Sequence, residues 1–369
     1  VEDKYTTLSN GKLVYSRTNP DSTRTDYWKM SLPHAPYSCM IAAGDFEIYE
    51  DNFDGLTVDY YMEPAFAPWA KHVFGNTPEM IAYFSRVLKV PYPWEKYSQI
   101  VVRDFASGAV ENTTASVFME GLNADNRDLL DENWDDIIAH ELFHQWFGNF
   151  VTCESWANLP LNESFATYGE ILWKDYKYGA DEAAMKRLED LNNYLDESEN
   201  KNENLIRFDY DEDDEMFDSH SYAKGGLILH MLRNYLGDEA FFLGLEYYLK
   251  THAFGKAEAH ELRLAFEHIA GEDLNWFFNQ WFFASGHPQL RVEEHWNPAE
   301  GKATLKIWQD QDADQFPVYK LHLTVDVWQE AKKDSYVIEM DKPYQEFDFE
   351  SAQKPDLFLV DTEFVLVGE

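Results

Sequence analysis

The spacing of apolar residues shifts from helical to alternating near residue 286, and that change sets what this chain can fold into. Ahead of Gly286-His287-Pro288, apolar residues recur at helical intervals over 77–89, 133–148, 162–177, 181–195, 222–236, 257–270 and 273–284. Beyond it the period falls to two. Residues 303–308 and 321–327 alternate cleanly and further such runs follow at short intervals, which is the signature of a β-sandwich. Residues 56–61 and 99–103 read as strands on either side of the helical stretch at 77–89. The first 47 residues, rich in Thr, Ser, Asn, Tyr and Pro with short apolar runs such as 39–43, read as the last strands of a β domain. The expected class is α+β: 1–47 the end of a β domain, 48–286 a mainly helical domain, 287–369 a β-sandwich domain.

A chain of 369 residues has room for two domains and a large core. It begins at Val1 without an initiator Met and reads as a piece of something longer; no signal peptide is visible, and a piece can have lost one. No apolar run reaches the length of a membrane span, so a soluble protein without membrane insertion is expected, cytoplasmic or exported. The 68 acidic against 30 basic residues give a net charge of −38, which repels phosphate backbones and anionic headgroups and argues against nucleic acid as a partner. The densest acidic run, 209–215, lacks the central Gly and terminal Glu of an EF-hand and reads as a solvated loop. Cys39 and Cys153 lie far apart with no CxxC partner, so neither a disulfide scaffold nor a thiolate metal site is available, and both read as small core residues.

The chemistry concentrates in His140-Glu141-Leu142-Phe143-His144, inside the helix expected over 133–148. Positions i and i+4 share a helix face, so His140 and His144 can hold one zinc ion while Glu141 leans toward the open side. Zinc brings a bound water toward ionisation at neutral pH, and an adjacent carboxylate can take its proton. Metzincins add a Gly and a third His at positions that are Phe147 and Phe150 here, which rules that class out. Gluzincins take a Glu from a second helix about twenty residues on, and Glu163 follows His144 with eighteen residues between them. Two His and one Glu leave a fourth zinc position open, the mark of a catalytic site. Glu154 competes for the third position but lies in the connecting loop. Glu170, on the same helix face as Glu163, reads equally well as a partner that orients a ligand histidine or as a plain surface residue.

At this point a resemblance emerges. The set His140-Glu141-x-x-His144-x-Trp146, Asn162-Glu163, Gly108-Ala109-Val110-Glu111-Asn112 and Tyr222-Ala223-Lys224-Gly225-Gly226 resembles the zinc aminopeptidases of the M1 (gluzincin) family, with its motifs in their usual order. The resemblance implies a thermolysin-like catalytic domain over 48–286, one Zn2+ on His140, His144 and Glu163, and peptide substrates with a free N-terminus. It further implies Glu141 as general base, Tyr222 as donor to the oxyanion, Gly108 and Ala109 as the strand that receives substrate backbone, and Glu111 as the acid that meets the substrate's ammonium. Val110 stands where the family has Met, and Ser164 where it has Gly; both touch pocket shape only. Family members draw a further polar group for the amine pocket from the N-terminal β domain, and the sequence does not locate it; weak activity is expected of the chain alone. An epoxide-opening relative, a zinc endopeptidase and a non-catalytic peptide-binding module remain as alternatives. His260-Glu261 opens like a second zinc motif, but position 264 is Leu; His230 and His268 receive no role.

Overall fold

A five-stranded mixed sheet forms one wall of the site in the computed structural model, which describes residues 1–131 and 133–369. Its order is Glu47–Phe53, Leu56–Met62, Tyr97–Val101, Ala115–Phe118, Ala109–Val110. The first two strands form a hairpin closed by Asp54 and Gly55, whose φ angles of 48° and 85° are the left-handed pair that a two-residue turn requires. The second, third and fourth strands in that order run parallel, the first crossover being made by the helices Ala70–Phe74 and Thr77–Val87. Ala109–Val110 pairs antiparallel with Ala115–Phe118 and lies at the sheet's edge, so its outer side is available to another extended chain.

The helix carrying the His-Glu pentapeptide spans Asp135–Phe143. It is buried on nearly every side, with Ile138, Ala139, Leu142 and Phe143 all at 1% exposure or less, so packing and not amphipathicity holds it. Its start is fixed by the Asp135 carboxylate, which accepts hydrogen bonds from Asn76 Nδ2 at 3.0 Å, Trp173 Nε1 at 2.9 Å and Tyr178 Oη at 2.6 Å. The helix stops five residues short of the expected 148. Trp146 and Phe147 continue the apolar spacing, but they fill the core from a turn that closes at Gly148, where φ is 126°. The chain then reverses into Val151–Cys153.

The helix expected over 162–177 spans Pro160–Tyr178, with Pro in its first turn. It lies close against the pentapeptide helix because Gly169 faces Phe143: a Cβ there would sit 2.6 Å from Phe143 Cγ. The segment expected as one helix over 222–236 instead begins with a π-helical turn, His220–Lys224, and continues as the α-helix Gly225–Leu236. A helix over Asp238–Thr251 has no counterpart among the expected ones. Its aromatic run and Gly244 weaken the sequence signal, and it forms by packing on Ala259–Ala270, where Gly244 meets Phe266.

After Gly286 the strands form two three-stranded antiparallel sheets, Leu290–Asn297 with Lys302–Gln309 and Tyr344–Glu350, and Lys332–Met340 with Leu321–Gln329 and Leu357–Val360. Their inward residues, among them Leu305, Ile307, Leu323 and Val325, share one continuous core with the helices. The junction is tied down by Lys224 Nζ, which donates to Gly286 O at 2.9 Å, and by Tyr194 Oη, 3.0 Å from His287 Nδ1. Cys153 is buried as expected, but Cys39 is exposed: it lies between the short turn Pro36–Ser38 and the strand Ile41–Gly44, where no core reaches it. The 209–215 acidic run is largely exposed. Among the described residues no helix is long and apolar enough to cross a membrane.

Candidate active site

The strand edge, the two packed helices and the π-turn converge on one cavity of about 580 Å³. Gly108, Ala109, Glu111, His140, Glu141, His144, Glu163 and Tyr222 all line it. One turn of helix separates the two histidines, and the packing of Pro160–Tyr178 brings Glu163 to them. Glu163 Oε2 lies 3.3 Å from both His140 Nε2 and His144 Nε2, and the three residues, all buried, each offer a ligand atom within 4.8 Å of the others.

The outer nitrogens of both rings are engaged. His140 Nδ1 is 2.7 Å from Glu170 Oε1, whose other oxygen is paired with Lys186 at 2.9 Å. His144 Nδ1 is 2.9 Å from Phe147 O, in the turn that follows the helix. A proton on each Nδ1 leaves each Nε2 lone pair facing Glu163, the arrangement by which metal-binding histidines are oriented. Glu170 therefore orients His140 and is not a surface residue. Glu154 lies away from the cavity, in an ion pair with Lys256 at 2.6 Å.

The charge balance of the pocket fits a cation. Burial opposes ionisation of the histidines, yet Glu163 and Glu170 raise His140, and Glu163 and Glu111 lift His144 to about 9. Burial likewise opposes charge on Glu163, but His144 and His140 draw its carboxyl well below the usual range. Two protonated imidazoles supply the positive charge these carboxylates demand, and one divalent ion with nitrogen and oxygen ligands would supply it instead. Glu141 lines the cavity at 5% exposure, and its Oε2 is buried without a hydrogen-bond partner. Burial pushes its carboxyl up to about 8 against the pull of the two histidines.

Tyr222 stands on the π-turn with its ring parallel to that of His140, centroids 5.9 Å apart. Burial, then the Glu163 carboxylate, raises its phenol far above the ordinary value, so the hydroxyl stays a donor. The π-turn is held against the helix Pro160–Tyr178 by Ser164, whose Oγ donates to Ser221 O at 2.7 Å. Gly225 makes room for that contact, since a Cβ there would fall 1.8 Å from Ser164 Oγ. The hydroxyl at position 164 thus ties the turn bearing Tyr222 to the helix bearing Glu163. Tyr37, Trp156 and Phe217 also line the cavity and carry no local motif by which a sequence reading finds them. The second zinc-like pair dissolves into helix capping: Glu261 reaches back to the Glu258 N–H at 2.8 Å, and His260 packs on Phe283.

Residues 72–281 match the model of the peptidase family M1 domain. Aminopeptidase M1 of Arabidopsis thaliana is 33% identical over 300 residues, covering 78% of this chain and 33% of its own length. Probable aminopeptidase 1 of Saccharolobus solfataricus is 30% identical over 300 residues, covering 79% and 38%. The chain thus spans about a third of the length of these curated relatives. The fold is that of Legionella pneumophila aminopeptidase A, solved in complex with aspartic acid, with a TM-score of 0.82 at 21% identity over 98% of this chain and 42% of that one. A family match over more than half of the chain, coincident with the helices and strands that build the cavity, places this protein in peptidase family M1.

Proposed function

We propose that the chain is the zinc-dependent catalytic core of an aminopeptidase, with 48–286 as its thermolysin-like unit and 287–369 as a β-sandwich beside it. The observation that carries this reading is the convergence of a His-His-Glu donor set with a second carboxylate, Glu111, in one cavity. His140, His144 and Glu163 would hold one Zn2+. When bound, zinc polarises the scissile carbonyl and acidifies a water.

The other steps belong to the protein. A peptide lies extended along the free edge at Gly108 and Ala109, where small residues admit its backbone. Glu111 receives the terminal ammonium by a charge-assisted hydrogen bond and so fixes cleavage one residue from the end. Glu141 takes the proton of the attacking water and passes it to the leaving amine. Tyr222 donates its O–H to the oxyanion as the tetrahedral intermediate forms.

The reading is tested on aminoacyl amides with metal removed and restored. Purified protein should carry about one zinc per chain. Chelation should abolish hydrolysis, zinc should restore it, and His144→Ala should lose both metal and turnover. Stoichiometric metal in His144→Ala would remove that residue from the ligand set. Tyr222→Phe should keep its zinc and lose roughly 10²–10³ in kcat, the span for one oxyanion donor. An unchanged kcat would return Tyr222 to a packing role.

A further inference from the structure

Glu111 is not alone at its end of the cavity. Tyr37 Oη lies 3.0 Å from Glu111 Oε1 and comes from the short turn Pro36–Ser38, more than seventy residues away in sequence. Tyr37 shows 38% of its surface, yet its hydroxyl is directed inward among Glu111, Gly148 and Asn162, and its ring packs edge-on against Trp156 at 5.3 Å. The turn itself is fixed from beneath: Ser38 Oγ and Thr113 Oγ1 are 2.8 Å apart, and Asn10 Nδ2 donates to both Ser38 O and Thr113 O.

The direction of the Tyr37 hydrogen bond follows from its neighbours. The backbone N–H of Cys153 donates to Asn162 Oδ1 at 3.1 Å, and an N–H can only donate, so the orientation of the Asn162 amide is set. Asn162 Nδ2 then faces Tyr37 Oη at 3.3 Å as a donor. With its oxygen accepting there, the single Tyr37 proton is directed to Glu111 Oε1, the nearer of its two acceptors; Gly148 O is at 3.4 Å. Glu111's own backbone carbonyl is held by Gln145 Nε2 at 3.1 Å and Asn149 Nδ2 at 2.7 Å. One carboxylate oxygen is thereby occupied and the backbone pinned. Among the described residues no hydrogen bond reaches the other oxygen, Oε2.

We infer that Tyr37 is a positioning residue for amine recognition: by donating to Glu111 Oε1 it fixes the carboxylate and aims Oε2 at the substrate's terminal ammonium. The inference rests on the aminopeptidase reading of Glu111. It makes the chain from Asn162, through Tyr37, to Glu111 a mechanical link between the helix of the metal ligand Glu163 and the amine pocket. Burial, then the Glu111 charge, keeps the Tyr37 phenol protonated at neutral pH, as a donor must be.

The test compares inhibition of the zinc-loaded chain by leucine hydroxamate and by 4-methylpentanoyl hydroxamate, which differ only in the α-amine. Wild type should favour the amine-bearing compound. Tyr37→Phe should weaken that compound about tenfold, the low end for a hydrogen bond to a charged group, and leave the other unchanged. Tyr37→Phe keeps the ring on Trp156, and zinc content and melting temperature of the same samples report on folding. The decisive arm is the Glu111→Gln background, where adding Tyr37→Phe should cost nothing further, because a residue acting through Glu111 has nothing left to position. Equal weakening of both compounds, or an additive loss in the double variant, would overturn the inference while leaving the aminopeptidase reading intact. A wild type that does not distinguish the two hydroxamates would overturn both.

Discussion

Glu141→Gln should retain about one zinc per chain and lose on the order of 10²–10⁴ in kcat with little change in KM, the span for removal of a general base. The substitution is nearly isosteric and leaves His140, His144 and Glu163 untouched. What it removes is the basic carboxylate of a residue that lines the cavity and has one oxygen buried without a partner. An amide there cannot accept the proton of water at any working pH. Zinc content and single-turnover rates on the same preparation separate this role from ligation. A Glu141→Gln protein that loses its metal would make Glu141 part of the metal site, and one that turns over normally would move the base elsewhere.

Glu111→Ala should act on a different quantity. It should reduce kcat/KM for an aminoacyl amide by roughly tenfold to a hundredfold, the value of a charge-assisted hydrogen bond, and leave zinc content unchanged. Its specific mark is the loss of discrimination between free and acylated amines. The Glu141→Gln enzyme, by contrast, should be slow on everything while still binding the free amine preferentially. The two variants therefore divide the site into a part that performs the hydrolysis and a part that chooses the substrate.

What the sequence made legible is what local spacing encodes. The i, i+4 histidines, the eighteen-residue gap to Glu163, and the helices over Pro160–Tyr178 and Ala180–Ser198 follow from periodicity and from the ligand chemistry of zinc. The end of the pentapeptide helix was misread because Trp146 and Phe147 are apolar for a tertiary reason. They fill the core from a turn whose sharpness lies in the φ of Gly148, and an apolar count does not distinguish the two cases. The same turn brings the Phe147 carbonyl to His144 Nδ1, so the end of this helix is part of the site. Glu170 stayed undecided in sequence because i+7 spacing gives a helix face without saying what packs on it. The crossing of two helices at Gly169 and Phe143 brings His140 to it. Tyr37 was invisible for a plainer reason: its partner is distant in the chain, and a Tyr in a Pro-rich turn carries no periodic signal.

The most direct test of the central claim needs no substitution. One aminoacyl amide and its N-acetyl form are compared with the zinc-loaded chain, and the ratio of kcat/KM is read, since weak absolute rates cancel from a ratio. A carboxylate such as Glu111, which accepts from Tyr37 in the cavity lined by His140, His144 and Glu163, should stabilise an ammonium and give little to an uncharged amide. The free amine should be favoured by at least about tenfold. Equal cleavage of the two substrates would contradict it and make this site a zinc endopeptidase.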